Sequence, residues 1–462
     1  MDLNKIDKIL VVGLGIRTGL AVSNFLAEKG FSVYASDIKT KEEIQDVIKD
    51  LDYRVTVIAG EQGAAILDLG FDLIVLSPGV PRSIPLIKAA QERGIPVIAE
   101  IELAYQYLRG GIIAITGTDG KSTTTSLVGH VLNELGVKTF IGGNIGIPLI
   151  SFVEETDDDS VIVLELSSFQ LESIDQFRPD ISAILNVTPD HLDRYNGMDD
   201  YFRAKLRINM NQMEEDCCIY NIDDEIIVNG LDGIKSRKKG FSLIDTKADA
   251  FFENGFLYAC INNQKERVIE TEKMQILGIH NAANALAALL MILDIMKKNN
   301  IEPDMQRIEK AFYTFIGLPH RMERIGMFQG LSFVNDSKAT TIGAVEMALK
   351  SIHDKCILIL GGKPKGDDYT RLIYNMKGRV RHIVLIGETS TEFKSIFKDF
   401  PSSISESLDD AIIEAIKHGI KGDVVLLSPG CASFDMFESY EDRGDKFKLS
   451  FERLKRGELS WT

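Results

Sequence analysis

The stretch Ile112-Ile113-Ala114-Ile115-Thr116-Gly117-Thr118-Asp119-Gly120-Lys121-Ser122-Thr123 decides how this chain folds, because a glycine turn there joins an apolar run to a helical pattern. Ile112–Ile115 reads as a strand. After the turn, Leu127, Val128, Val131, Leu132 and Leu135 recur at helical spacing, and Gly136 is a stop signal. Such a turn aims backbone N–H groups and the positive end of the helix dipole at an anion. Lys121 adds a point charge suited to β- and γ-phosphates, and the Ser122 hydroxyl suits Mg²⁺. The bland alternative is an ordinary strand–turn–helix with a surface lysine, but strand, turn and helix together favour a nucleoside triphosphate. The P-loop pattern places a glycine where this chain has Ile115. The loop is therefore shorter than in kinases and GTPases and points to another class of ATP user.

Working outward, the same alternation of strand and helix recurs on both sides. Lys8–Val12, Phe31–Ser36, Asp72–Leu76 and Pro96–Ile98 read as strands, with a helix over Leu20–Lys29. Arg109-Gly110-Gly111 is a first linker. Ser160–Leu166 and Ile181–Val187 continue the central block, Asp223 to Glu272 reads as short strands and loops, and His280 to Met296 reads as a helix. Gly317-Leu318-Pro319 is a second linker. Beyond it, Leu331–Asn335, Cys356–Leu360, His382–Ile386 and Val424–Leu427 alternate with Ala344–Ser351 and Asp409–Lys417. The expectation is α/β throughout, in three domains over 1–109, 110–317 and 318–462, consistent with a length of 462 residues.

Composition narrows the function. With 52 basic against 68 acidic residues the net charge is −16, which argues against nucleic acid or an anionic membrane as partner. Five cysteines, Cys217 and Cys218 adjacent and none in CxxC spacing, fit a reducing cytosol. The apolar stretch Ala285–Leu293 is too short to span a bilayer, and Ile9–Val12 leads into a glycine loop, unlike a secretory leader. A soluble cytoplasmic protein is expected.

Several strand ends carry chemistry. Gly13-Leu14-Gly15, with Asp37 after the next strand, is like a dinucleotide fingerprint, but Gly19 lies one residue too far on for G-x-G-x-x-G. A nucleotide or diphosphate at that helix N-terminus is one reading, a ligand-free tight turn the other. Glu165, in Glu165-Leu166-Ser167-Ser168-Phe169-Gln170, is an acid at the end of a buried strand, suited to Mg²⁺, or else an N-cap or salt-bridge acid. His191, in Asn186-Val187-Thr188-Pro189-Asp190-His191, reaches the same crevice. By pattern alone Lys205 is a solvated lysine. Asn281 and Asn284, on one helical turn, read a purine or cap the helix. In the last third, Asn335-Asp336-Ser337-Lys338-Ala339-Thr340, Gly361-Gly362-Lys363-Pro364-Lys365-Gly366 and Ser428-Pro429-Gly430-Cys431-Ala432-Ser433-Phe434 each follow a strand, which predicts one shared sheet edge. Leu318-Pro319-His320-Arg321 precedes them.

In order along the whole chain, GTDGKST, ELSSFQLE, NVTPDHLD, HNAANALAA, LPHR, NDSKAT and SPGCASFD resemble the motifs of the Mur ligase family, the ATP-dependent amide-bond enzymes of bacterial peptidoglycan synthesis. ELSSFQLE and NDSKAT are most similar to members that add D-glutamate to UDP-N-acetylmuramoyl-L-alanine. The resemblance implies a Rossmann-like UDP-binding domain, a central ATPase domain with a mostly parallel sheet, and a Rossmann-like C-terminal domain. It places the UDP-sugar at Gly13, Leu14, Gly15, Asp37, Ser77, Pro78 and Gly79, with Asn144 and His191 near the muramoyl-alanine carboxylate. ATP falls to Gly117, Thr118, Asp119, Gly120, Lys121, Ser122, Thr123, Thr124, Asn281, Asn284, Arg321 and Asp336. Lys121, Glu165, His191 and Lys205 are the implied catalytic residues. Two Mg²⁺ are implied, held by Ser122, Glu165, His191 and a carbamylated Lys205. D-Glutamate falls to Lys338, Thr340, Lys365, Ser433, Phe434 and Tyr440. A monomer is expected.

The chain departs from the family pattern at Asp119, Thr341 and Tyr440, where Asn, Asn and Phe are usual, and in the longer Gly13–Gly19 loop. Two other readings compete. A folylpolyglutamate synthetase-like ligase would lack the full N-terminal domain with its own glycine loop. A non-catalytic nucleotide-binding regulator would have no need of Lys121, Glu165, His191 and Lys205 together.

Overall fold

The computed structural model describes residues 5–190, 194–261, 264–276, 278–352 and 354–460. It forms two compact units, Met1–Glu272 with Ala282–Phe312, and Lys273–Asn281 with Tyr313–Thr462. Among the described residues there are three sheets, two in the first unit and one in the second.

The first sheet comprises β1 (Lys8–Val12), β2 (Ser32–Asp37), β3 (Thr56–Ala59), β4 (Leu73–Leu76) and β5 (Val97–Ala99). Its order is β3-β2-β1-β4-β5, parallel throughout. Ile9, Leu10, Val11 and Val12 are fully buried. Apolar residues on both faces of a strand demand helices on both sides, which parallel crossovers supply. The order reverses between β1 and β4, so the loops after those strands open a crevice at the switch point.

The second sheet comprises β6 (Gly111–Thr116), β7 (Thr139–Gly143), β8 (Val161–Glu165), β9 (Ile181–Ile184), β10 (Cys217–Asn221), β11 (Arg237–Ser242), β12 (Ala250–Glu253), β13 (Phe256–Ile261) and β14 (Gln264–Glu270). Its order is β14-β13-β12-β11-β10-β9-β6-β8-β7, parallel except for the pairs β12–β13 and β13–β14. β6 therefore lies between β8 and β9, and all three end at one edge. The weakly patterned stretch after Asp223 holds a short helix, Glu225–Gly230, and four strands of this sheet's outer side. Its pattern is weak because an outer strand such as β14, Gln-Lys-Glu-Arg-Val-Ile-Glu, buries only Val268 and Ile269. Helix Ile279–Lys298 extends beyond the apolar stretch read from sequence and is long and apolar enough to cross a membrane. The protein itself covers it, however, with every residue from Ala285 to Ile292 at most 2% exposed.

The third sheet comprises β15 (Glu323–Phe328), β16 (Leu331–Asn335), β17 (Cys356–Gly361), β18 (Val380–Ile386), β19 (Ser402–Ile404) and β20 (Val424–Leu427). Its order is β15-β16-β20-β17-β18-β19, with only β15 antiparallel. Parallel β16, β20 and β17 are neighbours, so the three chemistry-bearing loops of the last third leave one edge together. A C-terminal helix, Tyr440–Lys455, was not expected from sequence. Its polar composition hides a buried stripe of Phe447, Phe451 and Leu454.

Candidate active site

The turn after β6 is held by a side chain that sequence reasoning passed over. Asn186, just past β9, accepts from the Thr118 and Asp119 amides at 3.1 and 2.8 Å and donates to the Asp119 carbonyl at 3.0 Å. The signal available was an asparagine directly at a strand end. Gly120 has φ of +80°, and a Cβ there would stand 2.3 Å from the Asn284 amide oxygen. Glycine is thus required both by the left-handed backbone and by the close approach of helix Ile279–Lys298. Asn284 lies against the turn. Asn281 is also buried, in the second unit.

Lys121 opens helix Lys121–Glu134 and folds its ammonium back onto the carbonyls of Gly117 and Thr118, at 2.9 and 2.7 Å. Lys205 donates to the same Gly117 carbonyl at 2.7 Å. The surface-lysine reading of Lys205 is wrong, since it is 1% exposed, its ammonium 4.3 Å from the Tyr201 ring centroid. Burial, reinforced by the Lys121 charge, pulls its pKa down to about 7. The site thus holds a lysine that is about half neutral amine at pH 7, against about one part in a thousand or less for a free lysine.

Glu165 ends β8 at 3% exposure. One carboxylate oxygen accepts from Asn144 at 2.9 Å, and the other, Oε2, is buried without a hydrogen-bond partner. The N-cap alternative belongs to Ser167, which makes a capping box with Gln170. A buried, half-paired carboxylate beside a phosphate-type turn is a fit for a divalent cation. No group of three or more metal-ligating acids, histidines or cysteines is assembled among the described residues. His191, the further expected ligand, lies outside them.

At the first sheet's switch point, Ser77 Oγ donates to the Gly13 carbonyl at 2.6 Å, and the Gly13 amide to Ser36 O at 2.8 Å. Asp37 accepts from the loop's own Leu14 amide at 2.8 Å and from Lys39 at 3.0 Å, so it braces the glycine loop. Gly19, one residue late for the fingerprint, still does the fingerprint's packing work. A Cβ there would stand 2.2 Å from Gly13 O.

In the second unit, Lys365 donates to Thr340 Oγ1 at 3.0 Å, and Lys338 stands 3.8 Å from the Tyr440 ring centroid. Ser433 is buried and Phe434 is 68% exposed. Asp336 accepts from Ser428 at 2.8 Å and the Met322 amide at 3.1 Å, and burial raises its pKa to about 7. It links Met322, the residue after the Leu318–Arg321 segment, to two of the sheet-edge loops. Sequence reasoning missed Arg443 as well. Fully buried, it donates to Ser337 Oγ at 2.9 Å, Ser337 O at 2.8 Å and Cys431 O at 3.2 Å, tying the loops after β16 and β20 together.

Comparison with known proteins matches these elements in order. Residues 7–99 match the Mur ligase MurD-like N-terminal domain, 115–292 the Mur ligase middle domain and 320–431 the Mur ligase glutamate ligase domain. A UDP-N-acetylmuramoylalanine–D-glutamate ligase of Koribacter versatilis is 42% identical over 96% of both chains. The chain belongs to the Mur ligase family. A second relative of the same name, from Alkaliphilus oremlandii, is 40% identical over 98% of this Mur ligase and 99% of its own length. Among solved structures, a UDP-N-acetylmuramate-alanine ligase from Thermotoga maritima shares the fold, with a TM-score of 0.58 at 20% identity over 97% of this chain and 99% of that one. The three-domain α/β architecture expected from sequence is therefore the family's.

Proposed function

We propose that this Mur ligase uses ATP to join D-glutamate to UDP-N-acetylmuramoyl-L-alanine in peptidoglycan synthesis, through an acyl phosphate. The observation that carries the reading is 40–42% identity, over nearly the whole chain, to relatives named for that reaction. A carboxylate is inert to amines. Transfer of the γ-phosphoryl group makes it an acyl phosphate, the D-glutamate amine attacks, and the tetrahedral intermediate expels phosphate. Most of the work is positioning and neutralising three anions.

In this reading Gly117–Thr124 cradles the triphosphate. Lys121 leaves its loop carbonyls for the γ-phosphate, while Asn281, Asn284, Arg321 and Asp336 serve ATP. Gly13, Leu14, Gly15, Asp37, Ser77, Pro78, Gly79 and Asn144 take the UDP-sugar. Lys338, Thr340, Lys365, Ser433, Phe434 and Tyr440 take D-glutamate. Ser122, Glu165, His191 and Lys205 would hold two Mg²⁺, which when bound supply charge neutralisation for the phosphates. Lys205 carries a carbamate: its neutral amine adds to CO₂, forming an N–C bond and releasing one proton. The low pKa of that amine and the orphaned oxygen of Glu165 support the assignment. Three domains over 1–109, 110–317 and 318–462, a monomeric state and a cytosolic location complete the proposal. Five unpaired cysteines fit a reducing compartment. The test is phosphate release from ATP. It should require UDP-N-acetylmuramoyl-L-alanine and D-glutamate together, and release with either alone at the full rate would refute the reading.

A further inference from the structure

The turn between β1 and helix Thr18–Glu28 is one residue longer than the G-x-G-x-x-G spacing, and it ends on an arginine. Arg17 occupies the residue just before the helix. It makes no side-chain capping bond, and the helix has no acid in its first turn. Its guanidinium instead donates to the carbonyl of Gly146, in the loop after β7. Among the described residues no carboxylate pairs with it, so a full positive charge rests on a neutral acceptor.

Its surroundings are open where a ligand would need them to be. Gly15 follows β1 and Gly79 follows β4, the two strands of the switch point, and a Cβ built on either meets nothing within 4 Å. Ile16, beside Arg17, is 66% exposed. An always-charged, forked donor thus stands at an open crevice, perched on a carbonyl that is a weaker acceptor than a phosphate oxygen. A guanidinium meets phosphate with two parallel bonds, each about twice as strong as a neutral pair.

We infer that Arg17 is a specificity determinant of the first sheet's site: it binds the diphosphate of the nucleotide-sugar, leaving Gly146 to do so. This deepens the proposed function and rests on its reading of that sheet. The loop's extra residue then has a purpose, since it adds a cation where Asp37 already occupies the loop's own Leu14 amide.

The test is calorimetric titration of the full chain with UDP, UMP and uridine, for the wild type, Arg17→Ala and Arg17→Lys. Arg17→Ala should weaken UDP about 10- to 100-fold, the range of a hydrogen bond to a charged group, and leave uridine within about twofold. Arg17→Lys should recover part of the loss, having the charge without the fork. The KM for the UDP-sugar should rise by a similar factor while those for ATP and D-glutamate hold. Unchanged UDP binding in Arg17→Ala overturns the inference. So does an equal loss for UDP and uridine with a lowered Tm, which would make Arg17 a strut between two loops. A wild type that binds none of the three probes overturns the nucleotide site itself, and Arg17's part with it.

Discussion

Replacing Asn186 by alanine removes the brace of the phosphate turn, and Asn186 itself is not among the residues expected to meet ATP. The side chain makes three hydrogen bonds to Thr118 and Asp119, at 2.8 to 3.1 Å. Each such bond contributes about 0.5–1.5 kcal/mol net. The site is half exposed, so water replaces part of the loss, and about 2 kcal/mol is the expected total. That energy now holds the turn in one conformation, and in the variant it must come from nucleotide binding. The kcat/KM for ATP should therefore fall about 30-fold. Asn186→Asp keeps the acceptor for both amides and loses only the donor, but adds a charge beside Asp119. It should fold normally and still bind ATP poorly. The assay is steady-state phosphate release with ATP varied and both other substrates saturating. The KM for the UDP-sugar is the control, because the Asn186 side-chain hydrogen bonds go to Thr118 and Asp119, which the proposed UDP-sugar site does not include. If Asn186→Ala keeps kcat/KM for ATP within about threefold of wild type, or if the UDP-sugar KM rises in parallel, the turn is not braced as described.

Lys205→Ala should be nearly inactive, with acetate or another short carboxylic acid restoring part of the activity. Labelled CO₂ should give a carbamate signal in wild type and none in the variant. At pH 7.5 an amine with a pKa of about 7 is about three-quarters neutral, against about one part in a thousand for a free lysine, and an active enzyme without the carbamate signal would end the idea. Glu100, 2% exposed, accepts from the Ile150 amide at 2.8 Å, and burial raises its pKa from 4.5 to about 7. Because the folded pKa lies above the unfolded one, the folded state holds the extra proton between those values, and stability falls as pH rises from about 4.5 to 7. Glu100→Gln should accordingly gain up to roughly 3 kcal/mol over wild type at pH 8 and little at pH 4.5, read by denaturant titration at both pH values. Lys365→Ala should raise the KM for D-glutamate far more than that for ATP, and L-glutamate should be refused by wild type. An unchanged D-glutamate KM would move the amino-acid site elsewhere.

Strands and their order along the chain were legible because buried parallel strands are continuous apolar runs. β1, β16 and β20 have the bounds that the sequence predicts. The phosphate turn, Glu165 and the three sheet-edge loops were legible for a related reason. Polar residues directly after an apolar run must sit at a strand's end, and in a parallel sheet those ends share an edge. What sequence could not supply is the partner of each side chain when that partner is distant in the chain. Lys205 looked solvated, yet it is buried on a carbonyl 88 residues away, and Asn186 braces amides 67 and 68 residues away. Arg443 lies in a helix with a polar sequence and is fully buried between loops that only the sheet order brings together. The sequence by itself therefore determined the elements and the chemistry carried at their ends, which are set by local periodicity and residue type. The tertiary structure alone decided which of those groups are desolvated and which are paired, because burial and hydrogen bonding belong to space rather than to position in the chain.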